Sequence, residues 1–201
     1  LFRSYEEMPV LEQKALQLAE GKILDVGAGS GCHTLALRKM GKEALAIDIS
    51  PWSVKVMEAR GLTARQVNLF DERFTERFDT ILMLMNGSGI IGRLERMGDF
   101  FRRIRQLLNP GGQILMDSSD LRYLFEDEDG SYLVNLAGNY YGEIDFRMQY
   151  KQVKGDSFDW LYVDFDTLSA YAAQCGFRAE CIQEGGHYDY LARLTVTDEA
   201  L

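Results

Sequence analysis

The chain has 201 residues, a length suited to one domain with or without a modest insertion, and about 70% of its unfolded surface can be buried without a disulfide or metal staple. Its 22 Lys and Arg against 31 Asp and Glu leave a net charge of −9, which works against nucleic acid as a partner. At 46% hydrophobic it is neither disordered nor fibrous, and no apolar run nears the roughly 18 residues that would span a bilayer.

The first 117 residues alternate helix and strand. Residues 6–20 read as a helix, with Pro9 early, where a missing N–H is harmless, and Gly21 as the stop. A short apolar strand follows at 23–26, then a helix over 32–40 closed by Gly41. A second strand at 44–47 ends at Asp48. Ser50 caps a helix with Pro51 at its first position, and that helix ends at Gly61. Residues 63–67 form a third, weaker strand, and 78–85 a fourth. The fourth is the most apolar, as a strand covered on both faces should be. Leu94, Met97, Phe101, Ile104 and Leu108 make a helical stripe that Asn109-Pro110-Gly111-Gly112 breaks, and residues 113–117 are a fifth strand. Such alternation predicts an α/β fold: a doubly wound, mostly parallel sheet covered on both faces.

The pattern changes after Asp117. An acidic turn is expected at Glu126-Asp127-Glu128-Asp129-Gly130, and strands over 140–150 and 158–165. A helix over 166–175 could be capped by Asp166 or Thr167. Two strands, 177–183 and 188–196, flank Glu184-Gly185-Gly186-His187 as a hairpin, the antiparallel edge of a seven-stranded sheet. With no repeat and no linker, the whole of 1–201 reads as one domain, in which 118–165 is a β-rich insertion.

The sharpest local signal is Asp25-Val26-Gly27-Ala28-Gly29-Ser30-Gly31, a strand running into a glycine turn that opens a helix. Glycines there let the backbone turn tightly and approach a ligand, with free helix N–H groups at the crevice. Nineteen residues after Gly29, Asp48 ends the second strand, where a carboxylate can accept two hydrogen bonds from a ribose diol. Together these indicate a nucleoside-containing cofactor. A dinucleotide fingerprint wants its third glycine where Cys32 stands.

The D-x-G-x-G-x-G form resembles motif I of the class I S-adenosylmethionine-dependent methyltransferases. The resemblance continues through Ala46-Ile47-Asp48-Ile49-Ser50, Asn68-Leu69, Phe78-Asp79-Thr80-Ile81-Leu82 and Leu107-Leu108-Asn109-Pro110-Gly111-Gly112. It implies S-adenosylmethionine as cofactor, a Rossmann-like methyltransferase fold, and direct in-line methyl transfer to a small molecule or a protein side chain. By the same resemblance Gly27, Ala28, Gly29 and Gly31 would shape the loop at the methionine portion and ribose, with Asp25 supporting it. Asp48 would bind the ribose hydroxyls, Ile49 would pack on the adenine, and Asn68 with Leu69 would hold the adenine edge. Asn68 departs from the family's frequent Asp, though its side-chain oxygen can still accept a bond. Met85 and Asn86 should border the sulfonium. Asn86 and Asp117 are the candidates for positioning an acceptor, and Asn86 lacks the Pro-Pro-aromatic continuation of enzymes acting on nucleic-acid amines.

Other features carry two readings each. Arg3 and Tyr5 either close over the cofactor carboxylate or serve packing. Tyr140, Tyr141 or Trp160 could line an acceptor site or simply fill a small sheet, and the same surface could serve a homodimer. Asp117-Ser118-Ser119-Asp120 reads as pocket wall and turn cap rather than a metal site, so no metal is expected. His187 reads as a turn histidine. Arg93, Arg96, Arg102, Arg103 and Arg105 read as a solvated helix face. Cys32, Cys175 and Cys181 read as small buried hydrophobes in a reducing cytoplasm, although a chain that begins at Leu1 leaves room for a processed segment. Two rival functions stay open: an NAD(P)-dependent oxidoreductase, and a module that binds S-adenosylmethionine without transferring methyl.

Overall fold

The computed structural model describes residues 2–125 and 139–197; the acidic turn expected at 126–130 lies outside the described residues. Five parallel strands form the body of one sheet: β1 (Ile23–Val26), β2 (Ala44–Asp48), β3 (Ala64–Gln66), β4 (Phe78–Met83) and β5 (Leu108–Ser119). The hairpin expected near the carboxyl end is present as two strands that complete this sheet, labelled β8 (Phe177–Glu184) and β9 (Asp189–Val196) after the intervening pair β6 and β7 described below. The order is β3-β2-β1-β4-β5-β9-β8, with β9 antiparallel to both neighbours. The strand order therefore reverses between β1 and β4, and such a switch point opens a crevice at the carboxyl ends of the strands.

Neighbouring residues on the central strands go to opposite cores, because side chains alternate along a strand. Ile81, Ile114 and Leu194 face one layer with Phe100, Phe101 and Phe177. Leu82, Leu115 and Leu191 face the other with Leu11, Leu16 and Leu37. Helices α1 (Val10–Leu18) and α2 (Cys32–Lys39) cover this second face. Helices α4 (Met97–Leu107) and α5 (Phe165–Gln174) cover the first, and α3 (Pro51–Ala59) seats Val54 and Met57 near Ala28 and Ala46. That double burial accounts for the unbroken apolar runs of β4 and β5.

Several expected boundaries move. The helix expected over 6–20 is a short 3-10 turn, Tyr5–Glu7, followed by α1 from Val10. Met8 stays extended at ψ 147° because a residue preceding proline is disfavoured in the helical region. The Asn109–Gly112 turn loops out within β5, between the pairs Phe78↔Leu108 and Thr80↔Gln113. The insertion strands are β6 (Glu143–Tyr150) and β7 (Val153–Leu161), an antiparallel pair separate from the main sheet. The second of these ends four residues earlier than expected, since Asp164, not Asp166 or Thr167, caps α5 by accepting the Thr167 N–H at 2.8 Å. Among the described residues no helix is long and apolar enough to cross a membrane.

Candidate active site

The glycine loop closes β1 onto β2. Gly27 and Ala28 donate their N–H groups to the Ile47 carbonyl at 2.9 and 3.1 Å. Gly29, at φ +56°, donates to Asp48 Oδ2 at 2.9 Å, and Ser50 N donates to Asp48 Oδ1 at 2.8 Å. The carboxylate is thus fixed from both sides while each oxygen keeps lone-pair capacity for a ligand. A Cβ on Gly29 would meet nothing within 4 Å, so its open side belongs to the crevice. Gly31 serves a different purpose: a Cβ there would stand 2.5 Å from Leu62 and 2.9 Å from Met57, so its glycine permits packing and it does not line the crevice.

The crevice has a volume of about 600 Å³. Ile49, Val67, Leu69 and Phe70 make an apolar slot beside Asp48, and Asn68 stands at the same place with Oδ1 accepting the Phe70 N–H at 3.0 Å. Phe70 is covered by the Arg96 guanidinium, 4.7 Å from its ring centroid. Phe158, Asp159 and Trp160 of β7 close the opposite side. Trp160 lies so tightly on Gly89 that any side chain there would overlap the indole. The slot is the right shape for a flat heterocycle, and the fixed carboxylate for a diol.

At the carboxyl end of β4, Met85 and Asn86 both adopt the left-handed region, φ 66° and 59°, where non-glycine residues are strained. Asp117, on adjacent β5, holds this turn by accepting Met85 N–H at 3.0 Å and Gly87 N–H at 2.9 Å. Burial pushes the Asp117 carboxyl up to about 6, against those two donors, which favour the ionised form. The Asn86 side-chain oxygen accepts Ser119 Oγ–H at 3.1 Å.

Beneath the loop lies a buried polar chain. Asp25 accepts Thr34 Oγ1–H at 2.6 Å, and burial raises its carboxyl above the usual range. It sits under the glycine loop rather than in the crevice wall. His33, which the sequence reading left unassigned, lines the crevice and pairs through Nε2 with buried Glu12 at 2.7 Å. Burial pushes the imidazole down, but the Glu12 carboxylate outweighs it and leaves His33 above the usual histidine range. Arg3 also binds Glu12, at 2.9 and 3.0 Å, and the Tyr5 hydroxyl accepts a bond from Gln17. Both residues are therefore engaged by α1, which fits their packing reading.

A second hollow of about 500 Å³ adjoins the crevice and shares Asn86 with it. Tyr123, Phe146, Tyr162, His187 and Asp189 are among its walls. Tyr140 and Tyr141 are not; their hydroxyls donate to Asp164, and Tyr141 also to Asp120.

Sequence comparison places this geometry in a family. The methyltransferase domain family matches residues 24–114, the glycine loop through β5. A crystal structure of an S-adenosylmethionine-dependent methyltransferase from Bacteroides fragilis, in complex with S-adenosyl-L-homocysteine, is 71% identical, with a TM-score of 0.91 over 98% of this chain and 80% of that one. The chain belongs to the S-adenosylmethionine-dependent methyltransferases. A cypemycin N-terminal methyltransferase from Streptomyces sp is 29% identical over 49% of this chain and 42% of its own. An uncharacterized methyltransferase of Staphylococcus carnosus is 31% identical over 64% and 58%. The matched stretch thus spans about half the length of these curated relatives.

Two expectations about this methyltransferase need correction. The arginines do not form a solvated face: Arg103 is buried on the carbonyls of Leu69, Asp71 and Phe74, half-buried Arg105 donates to those of Cys175 and Gly176, and half-buried Arg93 pairs with Glu143, Asp145 and Asp159. Arg102 alone of the five pairs only within its own helix, with Asp99. Of the cysteines, Cys32 is buried and lines the crevice, Cys175 is half-buried and Cys181 is exposed. In the 117–120 stretch, Ser118 Oγ shares a hydrogen bond with Ser88 Oγ at 2.7 Å and accepts Val163 N–H at 2.9 Å, while Asp120 pairs with Arg122.

Proposed function

We propose that this methyltransferase seats S-adenosylmethionine across the glycine loop and passes its methyl group in line to a small molecule held in the adjoining hollow. When bound, the cofactor supplies an electrophilic methyl on a sulfonium. Asp48 accepts the two ribose hydroxyls, with Gly29 giving the sugar room. Ile49, Leu69 and Phe70 sandwich the adenine, and the spare lone pair of Asn68 Oδ1 receives its amino group. His33, on the same wall and held there by Glu12, borders the aminoacyl end. Met85 and Asn86 border the transfer point, and Asp117 positions them through its two backbone bonds. Alignment rather than covalent chemistry is the protein's task, because holding donor and acceptor in near-attack geometry supplies most of the acceleration. We read the whole chain as one methyltransferase domain in which the described parts of 118–165 wall off the acceptor side.

The observation that carries this reading is the Asp48 carboxylate, fixed by two N–H donors opposite the open flank of Gly29. Incubating the protein with S-adenosylmethionine labelled in its methyl group and a metabolite extract tests it. Label should appear in a low-molecular-weight product. Label confined to protein overturns the small-molecule acceptor, and bound but untransferred label points to the binding module instead.

A further inference from the structure

The walls of the second hollow are specific enough to say what kind of acceptor it fits. Its rings pack against neighbouring rings: Tyr123 stacks on Tyr188 with centroids 5.1 Å apart and planes at 13°, and Phe146 lies 6.0 Å from Phe158 and 6.4 Å from Tyr162. Asp189, the cross-strand partner of Ser119, puts a carboxylate on the wall of this hollow. One of its oxygens, Oδ1, accepts the His187 N–H at 3.0 Å, and nothing described occupies a cationic position beside it. No Lys or Arg stands among the described lining residues, and the chain as a whole carries −9.

We infer that this hollow receives a protonated amine on an apolar or aromatic body, and that its nitrogen is the methyl acceptor; the inference rests on the cofactor assignment above. The quadrupole of an aromatic face attracts a cation, and the Asp189 carboxylate adds a charge-assisted bond. An acidic acceptor would meet that carboxylate with no counter-ion and would be repelled. A neutral alcohol or phenol would gain the apolar contact but not the charge. The global negative field draws cations to the mouth and slows anions. For transfer, the ammonium first loses one proton to water at the open mouth. The freed lone pair then forms the nitrogen–carbon bond as the carbon–sulfur bond breaks, with that electron pair remaining on sulfur. The product is an N-methylammonium ion. Asn86, common to both hollows, stands where nitrogen and methyl would meet.

Calorimetry on the protein saturated with S-adenosylhomocysteine, titrated with 2-phenylethylamine, 2-phenylethanol and phenylacetate, tests this. The amine should bind at least tenfold more tightly than the other two. Asp189→Asn keeps the oxygen that accepts His187 N–H and removes only the charge, so it should erase that preference while S-adenosylhomocysteine binds as before. Equal affinities in the wild type, tighter phenylacetate, no binding by any probe, or a preference that survives Asp189→Asn each overturn the inference. If S-adenosylhomocysteine itself fails to bind the wild type, the cofactor assignment falls first and separately. The wild-type comparison among the three probes stands whatever the variant's folding.

Discussion

Asp48 shows how one residue can be committed before any ligand arrives. Its two oxygens are oriented by Gly29 N and Ser50 N, so the rotamer freedom a free aspartate would lose on binding is already gone. Hydrogen bonds to a charged group are worth about 1.5–3 kcal/mol. Asp48→Ala should therefore weaken S-adenosylhomocysteine binding roughly ten- to hundredfold by calorimetry, with the circular dichroism spectrum unchanged. An affinity equal to wild type would remove the ribose role. Asp48 was legible from sequence because its position depends on local order alone: a short strand, then an acidic end, in step with the glycine loop. His33 was not, since its meaning comes from Glu12, 21 residues away, and a buried imidazole without that carboxylate would be only core.

Elements meet at the turn after β4, and Asp117 is the link between two of them. Two adjacent left-handed residues cost of order 1–3 kcal/mol each and persist where the surroundings over-determine them. The carboxylate of Asp117 bonds the backbone on both sides of Asn86, which is such an over-determination. Burial lifts its carboxyl from the ordinary 3.8 to about 6. A raised acid favours the protonated folded state, so its contribution to stability is full below 3.8 and is lost as pH rises through about 6. In urea unfolding, wild-type stability minus that of Asp117→Asn should fall between about pH 4 and 6 and level off above 7. Turnover should run the other way, rising through about pH 6, because the ionised carboxylate accepts both N–H bonds more strongly than the neutral acid does. A stability difference that is flat across that interval would mean that Asp117 titrates normally. The elements themselves show where sequence reading loses its grip. Apart from β5, which begins five residues before the expected 113, the main-sheet strands were placed to within a residue or two, and in β1 and β4 burial along nearly the whole strand marks the ends. The strands β6 and β7 were not, because β7 is exposed along nearly all its length and no burial pattern marks where it stops.

At the scale of the molecule, the sheet's two buried faces and the crevice between β1 and β4 act together: a ligand that binds only the folded chain stabilises all of it. S-Adenosylhomocysteine at a hundred times its dissociation constant should add about 2.7 kcal/mol, or about 5–10 °C in melting temperature for a chain of this size. NADH at the same concentration should add nothing, and an equal rise would revive the oxidoreductase. The sequence by itself determined the doubly wound fold, its antiparallel closing hairpin, the glycine loop with Asp48 and hence the methyltransferase family, because strand, turn, helix start and cap are properties of short contiguous stretches. Only the tertiary structure decided that Asp117 braces the turn at Met85, that Trp160 closes on Gly89, that the arginines of α4 and the turn before it hold carbonyls and carboxylates, and that Tyr123 and Tyr162 rather than Tyr140 and Tyr141 border the second hollow. Each of those depends on residues far apart in the chain meeting through a particular sheet order and register, which no local pattern encodes.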